Sequence, residues 1–236
     1  MTVLALEFSS ARRSAAVLDL KQGGVSPLPE NDGAPAIPRP PARMAEAIET
    51  GTGGTNAFSL IGKALAGAEL TREQIEVIVV GLGPGSYTGI RVALAMAQGW
   101  QLARGVKLLG ISSAEGLVAQ AQAEKMFGRV QVVIDAQRNE FYLASYEISP
   151  GGWKEIQPLR IVPLAEMQSQ ASAGGIWVGP EVTRWLSKGR SLFPSAMTLG
   201  RLAVGREDFV RGDKLAPIYL REISFVKASP PNPLAF

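Results

Sequence analysis

The chain has 236 residues, with 24 Lys or Arg against 21 Asp or Glu, a formal net charge of +3 at pH 7, and 46% apolar residues. It contains no histidine and no cysteine, which excludes disulfides, conventional structural zinc sites, Ser-His-Asp triads and Cys-His dyads within the chain, leaving oxygen-ligated ions such as magnesium. No run approaches the ~18 uninterrupted apolar residues of a membrane span, and the dispersed basic residues suit a solvated surface better than a nucleic-acid groove.

The opening "MTVLALEFSS" lacks a basic n-region and a small-residue cleavage site, so it reads as a strand of the fold, in a cytoplasmic protein, rather than as a signal peptide. Residues 3–8 form that strand and 14–20 its hairpin partner. Residues 21–41, rich in Pro and Gly without apolar period, read as a long exposed loop. A weaker third strand is expected at 43–50. Asn56 then caps a helix near 56–66 whose apolar positions Phe58, Ile61 and Leu65 share one face. A strand at 74–80 runs into "GLGPGSYTGIR" (81–91), and a helix follows over 90–103. A second series comprises a strand at 107–112, a helix near 113–124, a strand at 130–135 with its partner at 141–148, a strand at 175–179 and a helix near 196–205. The Pro-rich end after Lys227 is expected to fray. Strands alternating with helices predict an α/β protein.

The layout of residues 3–18 recurs at 131–146. Each has an apolar strand ending in an acid (Glu7, Asp135), a polar turn carrying an arginine (Arg12, Arg138) and a second strand. A duplicated hairpin of this kind makes two similar lobes facing a cleft, with both acids near its floor. In nucleotide-binding proteins of that shape such carboxylates hold magnesium and water beside phosphates, so Glu7 and Asp135 are candidates for weak Mg-nucleotide binding. A chance resemblance between two common hairpins is the alternative.

The glycine loop admits three readings. As a phosphate cradle, it offers free N–H groups at a helix start, the hydroxyls of Ser86 and Thr88, and the charge of Arg91. It lacks the Walker lysine, however, and its glycines at 81, 83, 85 and 89 fit neither phosphate-loop spacing. As a nucleophile's turn it fails, because the spacing around Ser86 is wrong and no histidine exists to activate a hydroxyl. As a rigid structural turn it is well made: Pro84 restricts φ, the glycines permit unusual backbone, and Ser86 or Thr88 can cap the helix. Within that helix Ala95, Gly99 and Ala103 recur every fourth position, as do Ala93 and Ala97. Small stripes admit close approach, either by the chain's own sheet or by a partner protein.

"GLGPGSYTGIRVALAMAQGW" resembles the signature of the TsaB family of bacterial tRNA threonylcarbamoyladenosine biosynthesis proteins. "LALEFSSARRSAAVLDL", "VIDAQRNEFYLASYEI" and "LAPIYLREISFVK" are similar to that family's first hairpin, second hairpin and ending, in the same order. The resemblance implies a two-lobed fold of the actin, sugar-kinase and heat-shock ATPase type. Residues 1–106 would form the N-terminal lobe with 21–41 as a loop insertion, 107–205 the C-terminal lobe, and 206–236 a segment returning to the first lobe. It further implies an accessory subunit with no catalytic residues of its own, no required cofactor and no confident metal site. Such a subunit supports a paralogous TsaD, which threonylcarbamoylates N6 of the adenosine after the anticodon; TsaD's metal site uses histidines, and this chain has none. First-lobe helices would dock TsaD, the ATPase TsaE would join, a homodimer would use the same surface, and tRNA would be met indirectly. The motif and docking residues are then Gly83, Pro84, Gly85, Ser86, Tyr87, Thr88, Gly89, Arg91, Ala93 and Ala97. Glu7 stands where the family usually has aspartate, and Gly53 falls about where it commonly has a histidine. The rival expectation is a stand-alone small-molecule kinase or ATPase of the same fold.

Overall fold

The computed structural model describes residues 1–20, 43–51, 54 and 56–221. The expectations for the 21–41 loop, Gly53 and the tail after Lys227 lie outside the described residues. Among the described residues ten strands form two sheets. The first contains β1 (Thr2–Glu7), β2 (Arg12–Asp19), β3 (Arg43–Thr50), β4 (Val77–Gly81) and β5 (Lys107–Ile111), in the order β3-β2-β1-β4-β5. The second contains β6 (Gly128–Asp135), β7 (Glu140–Ser149), β8 (Gly152–Pro163), β9 (Ile176–Gly179) and β10 (Arg190–Ser191), in the order β10-β9-β6-β7-β8. In each sheet the three hairpin strands are antiparallel and the last two join in parallel. Counted along the chain, the two orders are the same, so the repeated hairpin is the visible part of a duplicated lobe.

β1 and β4 are apolar at nearly every position because the first sheet is covered on both faces. On one side lie α1 (Ala57–Gly67) and α2 (Tyr87–Arg104), which bury Leu60, Ile61, Ile90 and Leu94 against Leu4, Leu6, Ile78 and Val80. Asn56 caps α1 as expected, accepting from the Ser59 N–H at 3.3 Å. The buried face of α1 is Ala57, Leu60, Ile61, Ala64 and Leu65, however, and Phe58 points away from it, 67% exposed.

Helices α3 (Ser113–Ala123) and α5 (Ala196–Leu202) are exchanged between the lobes. α3 follows β5 of the first sheet yet buries Ala114, Leu117 and Val118 in the core of the second. α5 follows β10 of the second sheet yet buries Ala196 and Leu199 against Val3, Ala5 and Val79 of the first. The two helices meet where Gly116 faces Leu199. A division at 106 and 205 therefore does not follow the packing: β5 and α5 belong with the first sheet, and the exchange is invisible to a reading that assigns each helix to its nearest strand in sequence. Two elements escape the periodicity altogether. β8 is a polar edge strand, largely exposed, and α4 (Leu164–Ser172) buries only Met167. Among the described residues no helix is long and apolar enough to cross a membrane.

Candidate functional site

The glycine loop is pressed against the end of β1. The Ser86 N–H donates to the Ser9 carbonyl at 2.6 Å and the Leu82 N–H to the Ile111 carbonyl at 2.9 Å. The Ser113 N–H donates to the Gly83 carbonyl at 2.8 Å, while the Gly83 N–H donates to Ser113 Oγ at 3.2 Å. A Cβ added at Gly89 would collide with the Phe8 carbonyl, and one at Gly85 with that of Ser9. Gly85 also holds φ 146°, which a side chain rarely tolerates. Pro84 follows a cis peptide bond from Gly83. The structural reading of the motif thus has a concrete cause: these glycines let two backbones touch. Ser86 caps α2, accepting from the Gly89 N–H at 3.3 Å, and Gly105 ends the helix in the left-handed conformation at φ 69°.

Beneath the loop lies Glu7, fully buried. Its Oε1 accepts from the Ser9 N–H and its Oε2 from Ser113 Oγ, each at 2.8 Å. Burial pushes the carboxyl above its ordinary range, against the hydrogen bonds from Ser9 and Ser113 that pull it down. Glu7 therefore clamps β1 to the start of α3, and its position does not fit a magnesium ligand. Asp135 takes the equivalent place at the end of β6 but lines the cleft, its Oδ1 accepting from the Gln137 N–H at 2.7 Å. Among the described residues no group of three or more acids is arranged to hold a metal ion. The two acids that the repeat pairs in sequence are thus not paired in space as cleft ligands.

The cleft itself, about 490 Å³, is lined by Ser9, Ser10, Gly85, Ser86 and Tyr87 from one lobe and Asp135, Gln137, Arg138, Tyr142 and Glu181 from the other. Tyr219 and Arg221 of the C-terminal segment also line it; nothing in the sequence pattern marked these two as interlobe residues. Thr88 is exposed on the first turn of α2. Arg91 donates to the Tyr87 hydroxyl at 2.9 Å and stacks over that ring at 5.2 Å.

Farther along α2 the two small stripes separate. Ala93 and Ala97 are 0% exposed and belong to the first core, so neither offers a docking surface. The outward stripe is Ala95, Gly99 and Ala103, all exposed. Together with Phe58 and Ile61 of α1, and Met96 and Trp100, it lines an apolar groove of about 350 Å³ rimmed by Arg72, Glu73 and Arg104. Leu102, three residues beyond Gly99, stands 89% exposed. Spacing alone shows both stripes; only burial tells which one faces out.

Comparison with known proteins agrees with this architecture. The tRNA threonylcarbamoyladenosine biosynthesis protein TsaB of Escherichia coli is 28% identical over 175 residues, covering 66% of this chain and 74% of that protein. The Bacillus subtilis protein of the same name is 27% identical over 110 residues, 47% of each chain. A family model described as "TsaD: tRNA N6-adenosine threonylcarbamoyltransferase" matches residues 55–220. The chain belongs to this family, on its TsaB branch. A solved structure of YeaZ from Pseudomonas aeruginosa shares the fold, with a TM-score of 0.71 and 23% identity over 93% of this chain and 99% of that one. The two like-ordered sheets are accordingly the two lobes of an actin-like fold, and the glycine loop of this TsaB-family chain is the turn that joins the first sheet to α2.

Proposed function

We propose that the chain is a non-catalytic accessory subunit of tRNA threonylcarbamoyladenosine biosynthesis, docking a TsaD-type catalytic subunit through the outward face of α1 and α2. The observation that carries this is the apolar groove along Ala95, Gly99 and Ala103, lined by the exposed Phe58, with the exposed Leu102 about one turn from Gly99 on the same helix. Large exposed apolar side chains beside a stripe of small ones form a seat for a packed helix pair, and a solvated surface has no use for them. The glycine loop sets the angle at which α2 presents that seat. The names of the relatives supply the pathway, and the absence of histidine removes the usual general base.

On this reading docking needs no cofactor, tRNA is contacted through the partner, a TsaE-type ATPase joins the pair, and self-association without the partner uses the same face. The test is co-purification of the full chain with its cognate TsaD-type subunit, without added nucleotide. Gly99→Trp and Leu102→Glu are expected to lower recovery of the complex at least about tenfold, roughly 1.4 kcal/mol or more of binding free energy. Their melting temperatures should stay close to wild type, since both side chains face solvent. Undiminished binding by both folded variants would place the partner elsewhere.

A further inference from the structure

The last described stretch of the chain touches both lobes within four residues. Arg206 pairs with Glu115 of α3 at 3.6 Å, and residues 209–217 then run along the first lobe: the Val210 N–H donates to the Leu108 carbonyl at 2.9 Å, the Gly212 N–H donates to Gln101 Oε1 at 2.7 Å, and Leu215 sits in the first core. The Ile218 N–H then donates to the Leu82 carbonyl at 2.8 Å, at the base of the glycine loop. Tyr219 sets its ring edge-on to Tyr87, centroids 5.3 Å apart. Two residues later the contacts change lobe. Arg221 Nη2 donates to the Ala136 carbonyl at 2.8 Å, in the turn between β6 and β7, and to Glu140 Oε2 at 2.6 Å, on the first residue of β7.

Alternation along this stretch divides the space between the lobes. Tyr219 and Arg221 face the cleft, whereas Ile218 and Leu220 line a separate hollow of about 500 Å³ with Glu115, Tyr146 and Trp153. The turn that Arg221 grips is itself unusual. Gln137, Arg138 and Asn139 all have left-handed φ values, 66°, 58° and 59°, a conformation that costs non-glycine residues about 1 kcal/mol or more each and persists only where surrounding contacts hold it. The Asp135 carboxylate holds one end of that turn, through Gln137 N–H, and Arg221 holds its carbonyl side. The chain crosses between lobes at Ser112 and at 193–195, next to the contact of α3 with α5 at Gly116 and Leu199, and these crossings are the natural axis for a hinge.

We propose that residues 218–221 are an interlobe latch. Ile218 and Tyr219 anchor it to the first lobe, Arg221 is its bolt in the β6–β7 turn, and the latch sets both the angle between the lobes and the left-handed form of that turn. A guanidinium suits the task because its charged Nη2 amino group carries two N–H donors, which reach a carbonyl and a carboxylate at once.

The chain has no cysteine, so a pair introduced at the exposed Lys63 and Lys154, one on each lobe, can be labelled cleanly for interlobe distance measurement in the full-length protein. Arg221→Ala and Glu140→Ala, made separately in that background, are expected to lengthen and broaden the distance distribution, the mean moving by more than about 2 Å. Amide exchange at 136–140 should accelerate about tenfold or more in both, as the turn loses its clamp. Melting temperature reports whether each variant is folded, and Glu140→Ala keeps the question open to an answer if Arg221→Ala is not. A folded variant of either kind with an unchanged distance distribution overturns the latch.

Discussion

At Gly89 the lack of a side chain is a structural requirement, because α2 starts against the Phe8 carbonyl with no room for a Cβ. Gly89→Ala is expected to cost about 3 kcal/mol or more, since backbone rather than a flexible side chain would have to move. Gly62→Ala, in the open middle of α1 with nothing within 4 Å of the added carbon, should instead stabilise by about 0.5–1 kcal/mol. Paired urea denaturation curves measure both. Glu7 makes a second prediction at this scale. Its folded pKa lies above the ordinary 4.5 because burial disfavours the charge. Between those two values the folded protein keeps a proton that the unfolded chain releases, so this group's contribution falls as pH rises through that window and then levels off. Glu7→Gln removes the ionisation. Relative to wild type, the variant should gain stability on going from about pH 4.5 toward neutral, with a slope no steeper than ~1.4 kcal/mol per pH unit. Urea midpoints at four or five pH values test it, and a constant difference between the two proteins would show that Glu7 does not titrate on unfolding.

At the scale of the element, α2 has two small-residue faces with different jobs. The inner one, Ala93 and Ala97, lets the helix lie close on the sheet; the outer one, Ala95, Gly99 and Ala103, lines a shallow apolar groove. Ala97→Trp is therefore expected to lower stability by about 3 kcal/mol or more through overpacking, visible as a marked drop in melting temperature. Loss of partner binding in that variant would report a damaged core, whereas the same loss in a fully folded Gly99→Trp protein reports the surface. The helix itself was legible: its glycine-rich start and its Ser86 or Thr88 cap are local signals. Its facing was not, because spacing repeated every fourth residue marks two parallel stripes equally well. β8 and α4 show the opposite limit. Their exposed, polar surfaces carry little apolar period, so these elements exist through pairing with β7 and packing near Met167 rather than through any pattern of their own.

On the scale of the whole molecule, the repeated hairpin announced two lobes, and two sheets of like order confirm the duplication. How the lobes are joined is a tertiary matter. α3 and α5 change partners, and residues 206–221 come back to the first lobe before reaching across to the second. The proposed docking face and the proposed latch lie toward opposite ends of α2, since Tyr87 opens the helix at the cleft and Gly99 and Leu102 sit toward its far end. The sequence by itself determined the α/β class, the duplicated hairpin, the turn before α2, the family, and, through the missing histidines and cysteines, the chemistry the chain cannot perform. All of these depend on residue type and short-range spacing. Only the tertiary structure decided that Glu7 is a buried clamp while Asp135 faces the cleft, that Ala95 rather than Ala97 looks outward, and that Arg221 meets Glu140. Those outcomes depend on which surfaces the long-range packing covers, and burial between elements distant in sequence leaves no period in the chain to read.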